Sequence, residues 1–136
     1  MRSCFVDTNL FIRYLTNDDK QKADKVEKLL NEASSGKLKL ITTEMVIAEI
    51  IWVLESSYDL TPGDITPMIR GILATPGLEV INESNVKKAV QLYHDFNIDF
   101  IDGYIAAVME QKKINELYSF DRKHISRLPG IKRVEP

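Results

Sequence analysis

Short apolar runs alternate along this chain with longer stretches in which apolar residues recur at helical spacing. This alternation is typical of strand–helix–strand units, which build a mostly parallel sheet covered by helices. The sequence therefore predicts an α/β fold, a three-layer α/β/α sandwich with a mostly parallel central sheet. The predicted strands cover residues 3–6, 38–41, 78–81, 116–120 and 131–134.

Local signals place the helices between those strands. Asp18 is the predicted N-cap of a helix over residues 19–35 that stops at Gly36. Pro62 suits the first turn of a later helix, and Ser84 is predicted to cap the helix after the third strand. The other helices are predicted to start after Asp7, at Thr42 or Thr43, and at Asp99 or Asp102.

Size and composition favour a single domain over residues 1–136, long enough to bury a sizeable core without disulfides or structural zinc. The lone cysteine, Cys4, allows no disulfide framework and suits a reducing cytoplasm. Arg2 is followed so soon by Asp7 that no signal peptide is expected, and the apolar run around Trp52 is too short for a membrane span. We therefore expect a cytoplasmic protein.

The formal net charge is -2, but the charges are unevenly distributed. Residues 112–136 carry seven basic and three acidic side chains, a net charge of +4, whereas the preceding 111 residues carry -6. A basic C-terminal stretch beside an acidic remainder can guide a phosphate backbone. An ordinary solvated surface is the alternative interpretation, and both stay open.

Four acidic residues stand at positions where the predicted core elements would otherwise be apolar. Asp7 and Asp121 end apolar runs, Glu49 lies inside the run of residues 45–54, and Asp102 opens a helix-like segment. An ionised carboxylate in apolar surroundings is costly unless a cation or strong hydrogen bonds compensate it. Asp7 and Asp121 directly follow predicted strands, and functional groups gather beyond the carboxyl ends of parallel strands, so both are expected at that edge of one sheet, with Asp102 facing the same crevice. A shared divalent cation is the simplest compensator for these charges.

Glu49 carries the strongest form of this argument. Its neighbours three and four positions away on a helix are all apolar: Met45, Val46, Trp52 and Val53. No cation stands there to pair with it, so we expect Glu49 to face the acidic site. The alternative is an exposed glutamate on a mostly buried helix.

Each aspartate also has a purely structural interpretation. Asp7 precedes a Thr-Asn pair, which is a good helix cap or turn sequence. Asp102 competes with Asp99 for the cap of the following helix, and Asp121 could end its strand as a turn residue. The agreement of the four acids, rather than any one of them, indicates a site.

The ligand chemistry favours Mg²⁺ or Mn²⁺ over zinc, because the candidate ligands are oxygens without cysteine or histidine. Such ions support hydrolysis of a phosphodiester bond by a metal-activated water. His94 and His124 are thirty residues apart without a partner at metal-ligand spacing, and both are interpreted as partly exposed helix residues. No glycine-rich phosphate loop or nucleophile elbow is present.

The acids lie in four motifs spread over the chain. They are Phe5-Val6-Asp7-Thr8-Asn9, Glu49 in its apolar helix, Asp99-Phe100-Ile101-Asp102-Gly103-Tyr104, and Ser119-Phe120-Asp121. In order and spacing this set resembles the PIN-domain nucleases, and within them the VapC-type ribonuclease toxins of toxin–antitoxin modules.

The resemblance implies a metal-dependent endoribonuclease on a PIN-like fold, the toxin of a type II module. The implied catalytic and metal-holding residues are Asp7, Glu49, Asp102 and Asp121, with Asp99 as a further metal-site contributor. The polar residues Thr8, Asn9 and Ser119 match positions that orient acids or water. Structured RNA as substrate, a homodimer and an antitoxin that blocks the groove are also implied. Gly103 replaces the alanine usual after the third acid, a departure expected to loosen this helix start.

Three basic residues are hypothetical contacts to the RNA backbone: Arg13, Arg122 and Lys123. Two other functions stay open. A phosphatase of the haloacid-dehalogenase type also begins with an aspartate after a strand, but it needs a second aspartate where this chain has Asn9. A catalytically silent RNA- or protein-binding module would instead neutralise its acids through hydrogen bonds or a structural ion.

Overall fold

Six α-helices and five short β-strands alternate along the chain in the computed structural model, which describes residues 1–136. The strands are β1 (Ser3–Phe5), β2 (Lys39–Thr42), β3 (Leu78–Val80), β4 (Glu116–Tyr118) and β5 (Lys132–Val134). The helices are α1 (Thr8–Thr16), α2 (Lys20–Ser34), α3 (Glu44–Tyr58), α4 (Pro62–Leu73), α5 (Glu83–Phe96) and α6 (Phe100–Lys112). All five predicted strands are present, close to their predicted bounds.

All strand pairings are parallel, which confirms the predicted α/β class. Strands β1, β2 and β3 form one sheet in that order, and β4 pairs with β5 in a second sheet. Phe5 lies beside Ile41 and Thr42 beside Val80, so the first three strands end at a common carboxyl edge. Asp7 follows β1 and Asp121 follows β4, and these strands belong to different sheets. The prediction that both aspartates follow strands of one sheet is therefore wrong.

The chain forms two compact units, Met1–Glu83 and Ser84–Pro136. The first holds the three-stranded sheet with α1 to α4, and the second holds α6 and the β4–β5 pair. The single domain expected from the chain length stays a prediction. A membrane-spanning helix is absent, since no helix combines the necessary length and apolar character.

Buried side chains of the first unit come from the strands and from one side of each helix. Leu40 of β2, Ile47 of α3 and Ile69 of α4 are completely buried. The Thr42 hydroxyl is buried as well and donates to the Val6 carbonyl at 3.0 Å. Because buried polar groups need hydrogen-bond partners, this bond fixes the chain as it leaves β1 and so sets where α1 begins.

Two of the predicted helix caps are wrong. Asp19, rather than Asp18, caps α2 by accepting a hydrogen bond from the Lys22 backbone N–H at 3.1 Å. Helix α5 begins at Glu83, so Ser84 lies inside the helix and does not cap it. Both errors are shifts of one or two residues, which is the usual precision of helix ends read from sequence.

The other caps agree with the sequence. Thr43 caps α3, and its side chain accepts from the Val46 backbone N–H. Thr61 and Asp64 form a reciprocal capping box at the start of α4, with Pro62 in the first turn. These caps satisfy backbone N–H groups that have no partner within their own helices.

Gly103 determines how closely α6 approaches α5 in the second unit. A Cβ at residue 103 would lie 2.9 Å from the Ala89 carbonyl oxygen. Gly103 is buried, and its own N–H donates to the Asp99 carbonyl at 3.0 Å. The glycine therefore permits close packing of α6 against α5, and the expectation that it loosens the start of α6 stays a prediction.

Substitution of Gly103 by alanine is expected to lower the free energy of unfolding by about 1 kcal/mol or more, because overpacking against the Ala89 backbone outweighs the gain in helix propensity. Gly71→Ala is the matched control, since residue 71 lies in α4 with open space around its Cβ. It should stabilise the protein by about 0.5–1 kcal/mol. Urea unfolding of both variants measures the difference; equal stabilisation by the two would contradict this packing argument.

Candidate active site

Three side chains of the second unit form the densest group of potential metal ligands in the structure. Asp102, Asp121 and His124 each offer one ligand atom, and these atoms all lie within 4.8 Å of one another. All three side chains are half-buried. Two of them were predicted from the sequence, and the third was not.

The Asp121 carboxylate is held by the turn that follows β4. Its Oδ1 accepts from the backbone N–H groups of Lys123 at 2.9 Å and His124 at 3.1 Å. Its Oδ2 lies 3.3 Å from Nδ1 of His124. These contacts, with the His124 backbone N–H the largest, hold the pKa of Asp121 below its ordinary value. Asp121 is thus both the predicted turn residue and a fixed, ionised carboxylate.

Asp102 lies in the first turn of α6, and its pKa is shifted upward, opposite to that of Asp121. Burial raises the pKa of Asp102, and the like charges of Asp99 and Asp121 raise it further. His124 opposes this shift. Asp99 occupies the N-cap position of α6 without a side-chain cap bond, so its carboxylate is not consumed by capping.

His124 is the residue that the sequence interpretation missed. It was interpreted as a partly exposed helix residue without a partner at metal-ligand spacing, whereas it lies against Asp121 at the start of a short 3-10 turn, Ile125–Arg127. The available signal was the spacing of three residues between Asp121 and His124. His94 is exposed, and its Nδ1 lies 2.9 Å from the adjacent Asp95.

Asp7 caps α1 in the first unit, as one of its two interpretations predicted. Its Oδ1 accepts from the Thr8 backbone N–H at 2.7 Å, and the side chain is exposed rather than surrounded by apolar groups. Beside it, the Thr8 hydroxyl is buried and has no hydrogen-bond partner. Buried hydroxyls without a partner are rare in folded proteins, and Thr66 of α4 has a second one, so this feature alone does not mark a site.

Glu49 is exposed on α3, so the expectation that it lies in apolar surroundings is wrong. The reason is that this helix, apolar all round in sequence, is covered on one side only. Met45 is 74% exposed and Trp52 is 66% exposed, and both share the outward stripe of Glu49. The assignment of Glu49 to a metal site therefore rests on the family motifs alone.

The remaining candidate residues have definite positions. Asn9 is exposed in a groove between α1 and α2, which Arg13 also lines. Nη1 of Arg13 donates to both carboxylate oxygens of Asp18, at 3.1 and 3.2 Å. Arg122 pairs with Glu135 at 3.1 Å.

Lys123 is exposed, and its backbone contributes to the Asp121 turn. Ser119 is half-buried, and its hydroxyl accepts from the Asp121 backbone N–H at 3.0 Å. This hydrogen bond links Ser119 to the backbone of Asp121, and the orienting role of Ser119 stays a prediction.

The donor set fits a divalent cation. Two carboxylates and one imidazole converge, and a third carboxylate, that of Asp99, is near enough to raise the pKa of Asp102. This crowding of like charge is what a bound cation would relieve. Carboxylates suit Mg²⁺ and Mn²⁺, whereas an imidazole also suits zinc, so the argument against zinc from the absence of histidine does not hold for this group.

Comparison with known proteins identifies the fold family. The family model for the PIN domain matches residues 4–131. A protein named VapC ribonuclease from Aquifex aeolicus (strain VF5) is 27% identical over 131 residues, which cover 96% of this chain and 95% of that protein.

Two solved structures are also similar. One is Mycobacterium tuberculosis VapC20, described as a toxin that cleaves the sarcin-ricin loop, with 20% identity, a TM-score of 0.39 and coverage of 98% of this chain and 99% of that chain. The other is VapBC2 from Rickettsia felis bound to a DNA fragment from their promoter, with 14% identity, a TM-score of 0.39 and coverage of 99% and 98%.

The raised pKa of Asp102 predicts that its charge destabilises the metal-free protein. The folded state binds this proton more tightly than the unfolded chain does, so stability falls as the pH rises through the folded-state pKa. In EDTA at pH 7, Asp102→Asn should therefore melt at a higher temperature than the wild type. The difference should vanish below the ordinary aspartate pKa of about 3.9.

Thermal melts from pH 3 to pH 8 measure this effect. Asp24→Asn, at an exposed position of α2, is the control and should not change the melting temperature. Added Mn²⁺ should raise the melting temperature of the wild type and have little effect on Asp102→Asn. A variant that is less stable than the wild type at pH 7 without metal would refute the argument.

Proposed function

This chain belongs to the PIN domain family, and on that premise we propose that it is a Mg²⁺- or Mn²⁺-dependent endoribonuclease and the toxin of a type II toxin–antitoxin module. The relative named VapC ribonuclease supports this choice within the family. The observation that carries it is the group of Asp102, Asp121 and His124, two crowded acids with pKa values shifted in opposite directions. Such shifted pairs are typical of catalytic sites.

The family motifs assign the metal-site residues. Asp7, Glu49, Asp102 and Asp121 match its four acids, and Asp99 contributes from the N-cap position of α6. His124 joins this set on the strength of its distance from Asp121. A bound divalent cation would polarise the phosphate and lower the pKa of a water molecule.

The side chains themselves do complementary work. Asp121 is kept ionised by the N–H groups of its turn and so offers a fixed negative ligand atom. In the metal-free protein, burial and the neighbouring acids raise the pKa of Asp102, and a bound cation would favour its ionised, ligating form. Thr8 supplies a buried hydroxyl with unused hydrogen-bonding capacity beside Asp7.

The substrate and partners follow from the likeness to VapC-type toxins. The substrate is a structured RNA, a protein antitoxin blocks the site, and two copies of the chain form a homodimer. Lys123 and Arg122 are the better placed of the proposed phosphate contacts, because both are exposed next to Asp121 in sequence. Arg13 and Arg122 are each paired with an acid, but the side chain of Arg13 is 38% exposed and that of Arg122 is 76% exposed, which makes Arg13 the weaker candidate. The cytoplasm is the matching location.

The two other functions make different predictions. A phosphatase would release phosphate from a small phosphomonoester without cutting RNA, and Asn9 in place of a second aspartate speaks against it. A silent binding module would bind RNA without cleaving it in Mn²⁺. Incubation of the antitoxin-free protein with total RNA, followed by mapping of the new ends, identifies a nuclease. If no new ends form, release of phosphate from a small phosphomonoester separates a phosphatase from a silent binding module.

Asp7→Asn is expected to reduce cleavage by more than the roughly 10–100-fold typical of losing an outer-shell partner. The fold should be preserved, because asparagine caps a helix about as well as aspartate does. Cleavage rates and melting temperatures, compared with those of Asp24→Asn on α2, separate chemistry from stability. An Asp7→Asn protein that cleaves RNA at the wild-type rate would refute the assignment.

Removal of the metal is expected to stop cleavage reversibly. EDTA should abolish the formation of new RNA ends, and addition of excess Mn²⁺ or Mg²⁺ should restore it with the same cut positions. Cleavage that continues unchanged in EDTA would show that the acids do not act through a cation.

A further inference from the structure

Arg133 lies on β5 and makes two strong hydrogen bonds. Its Nη1 donates to the Ser119 carbonyl at 2.7 Å and to Oε2 of Glu135 at 2.6 Å. Its side chain is only 24% exposed. Arg133, one of the basic residues of the C-terminal stretch, is thus bound to the backbone carbonyl of Ser119, the residue immediately after β4.

Ser119 is held on three sides by this arrangement. Its N–H donates to the Val134 carbonyl at 3.0 Å, and its carbonyl accepts from Arg133. Its hydroxyl accepts from the Asp121 backbone N–H at 3.0 Å. Ser119 therefore joins the β4–β5 pair to the turn that presents the Asp121 carboxylate.

We propose that Arg133 is a positioning residue for the metal site: by clamping the Ser119 carbonyl it holds the backbone that aims Asp121. This inference rests on the proposed function and assigns Arg133 no contact with RNA or metal. Ser119 connects the two residues directly: its carbonyl accepts a hydrogen bond from Arg133, and its hydroxyl accepts one from the Asp121 N–H. Residues behind metal ligands commonly set ligand orientation, and losing one typically lowers metal affinity or activity 10–100-fold.

An alternative role for Arg133 is direct binding of an RNA phosphate. Two observations oppose it. The guanidinium is mostly covered, and its charge is already paired with Glu135, whose pKa is lowered first of all by Arg133. Arg122, which shares the same Glu135 oxygen, is 76% exposed and better suited to a phosphate.

The experiment compares Arg133→Met, Arg133→Lys and the control Arg70→Met, which removes an exposed arginine from α4. The first readout is the Mn²⁺ dissociation constant, measured without RNA by electron paramagnetic resonance. Melting temperature in EDTA and the kcat and KM for RNA cleavage are measured on the same proteins.

Arg133→Met is expected to bind Mn²⁺ about 10-fold more weakly or worse and to lose kcat to a similar degree. Its KM for RNA should stay at the wild-type value. Arg133→Lys should recover part of the Mn²⁺ affinity, because an ammonium group still donates to the carbonyl but lacks the planar fork. Arg70→Met should match the wild type throughout.

Three results would overturn the inference. One is unchanged Mn²⁺ affinity in Arg133→Met, and another is a rise in KM with kcat unchanged, which would indicate a phosphate contact. In the third result, Arg133→Met loses Mn²⁺ affinity only because it unfolds, while Arg133→Lys is folded and binds Mn²⁺ as the wild type does. If the wild type itself neither binds Mn²⁺ nor cleaves RNA, the proposed function fails and this inference fails with it.

Discussion

The crowding of partly buried acidic side chains is the constraint on which the candidate site of the second unit depends. Asp102 and Asp121 lie in one group with His124, and Asp99 adds a further negative charge. The turn after β4 lowers the pKa of Asp121 with backbone N–H groups. Burial raises the pKa of Asp102, and the like charges of Asp99 and Asp121 raise it further. One acid is thereby fixed as an anion while its neighbour is left poised to hold a proton. Stability alone would favour neutral residues here, which is why this arrangement indicates a function.

Two backbone features make that crowding possible. Gly103, next to Asp102, lets α6 lie against the Ala89 carbonyl, where any side chain would hold the helices apart. On the other side, Ser119 binds the Asp121 turn to the β4–β5 pair. Neither residue carries a charge, yet both fix where the charges lie. The acids are therefore placed by packing and backbone hydrogen bonds that a list of acidic residues does not reveal.

The strands, most helices and the acidic motifs could be predicted from the sequence because they depend on neighbours a few residues away. The exposure of Glu49 could not, since periodicity does not tell which side of an apolar helix the rest of the chain covers. Trp52 and Met45 lie on the open side of α3 with it. His124 was missed for a related reason: its pairing with Asp121 depends on the geometry of the turn between them, which the spacing in sequence does not fix.

In the basic C-terminal stretch, the number of cationic residues does not show which of them are accessible to a phosphate. Its excess of cations suggested a surface for a phosphate backbone, but a count treats every arginine alike. Glu135 binds both Arg122 and Arg133, and the two differ in exposure from 76% to 24%. An exposed ion pair is weak and exchanges readily with a competing anion, whereas a covered guanidinium bound to a carbonyl does not. One short segment can therefore supply both an accessible cation and a structural one, and only the contacts of each side chain distinguish them.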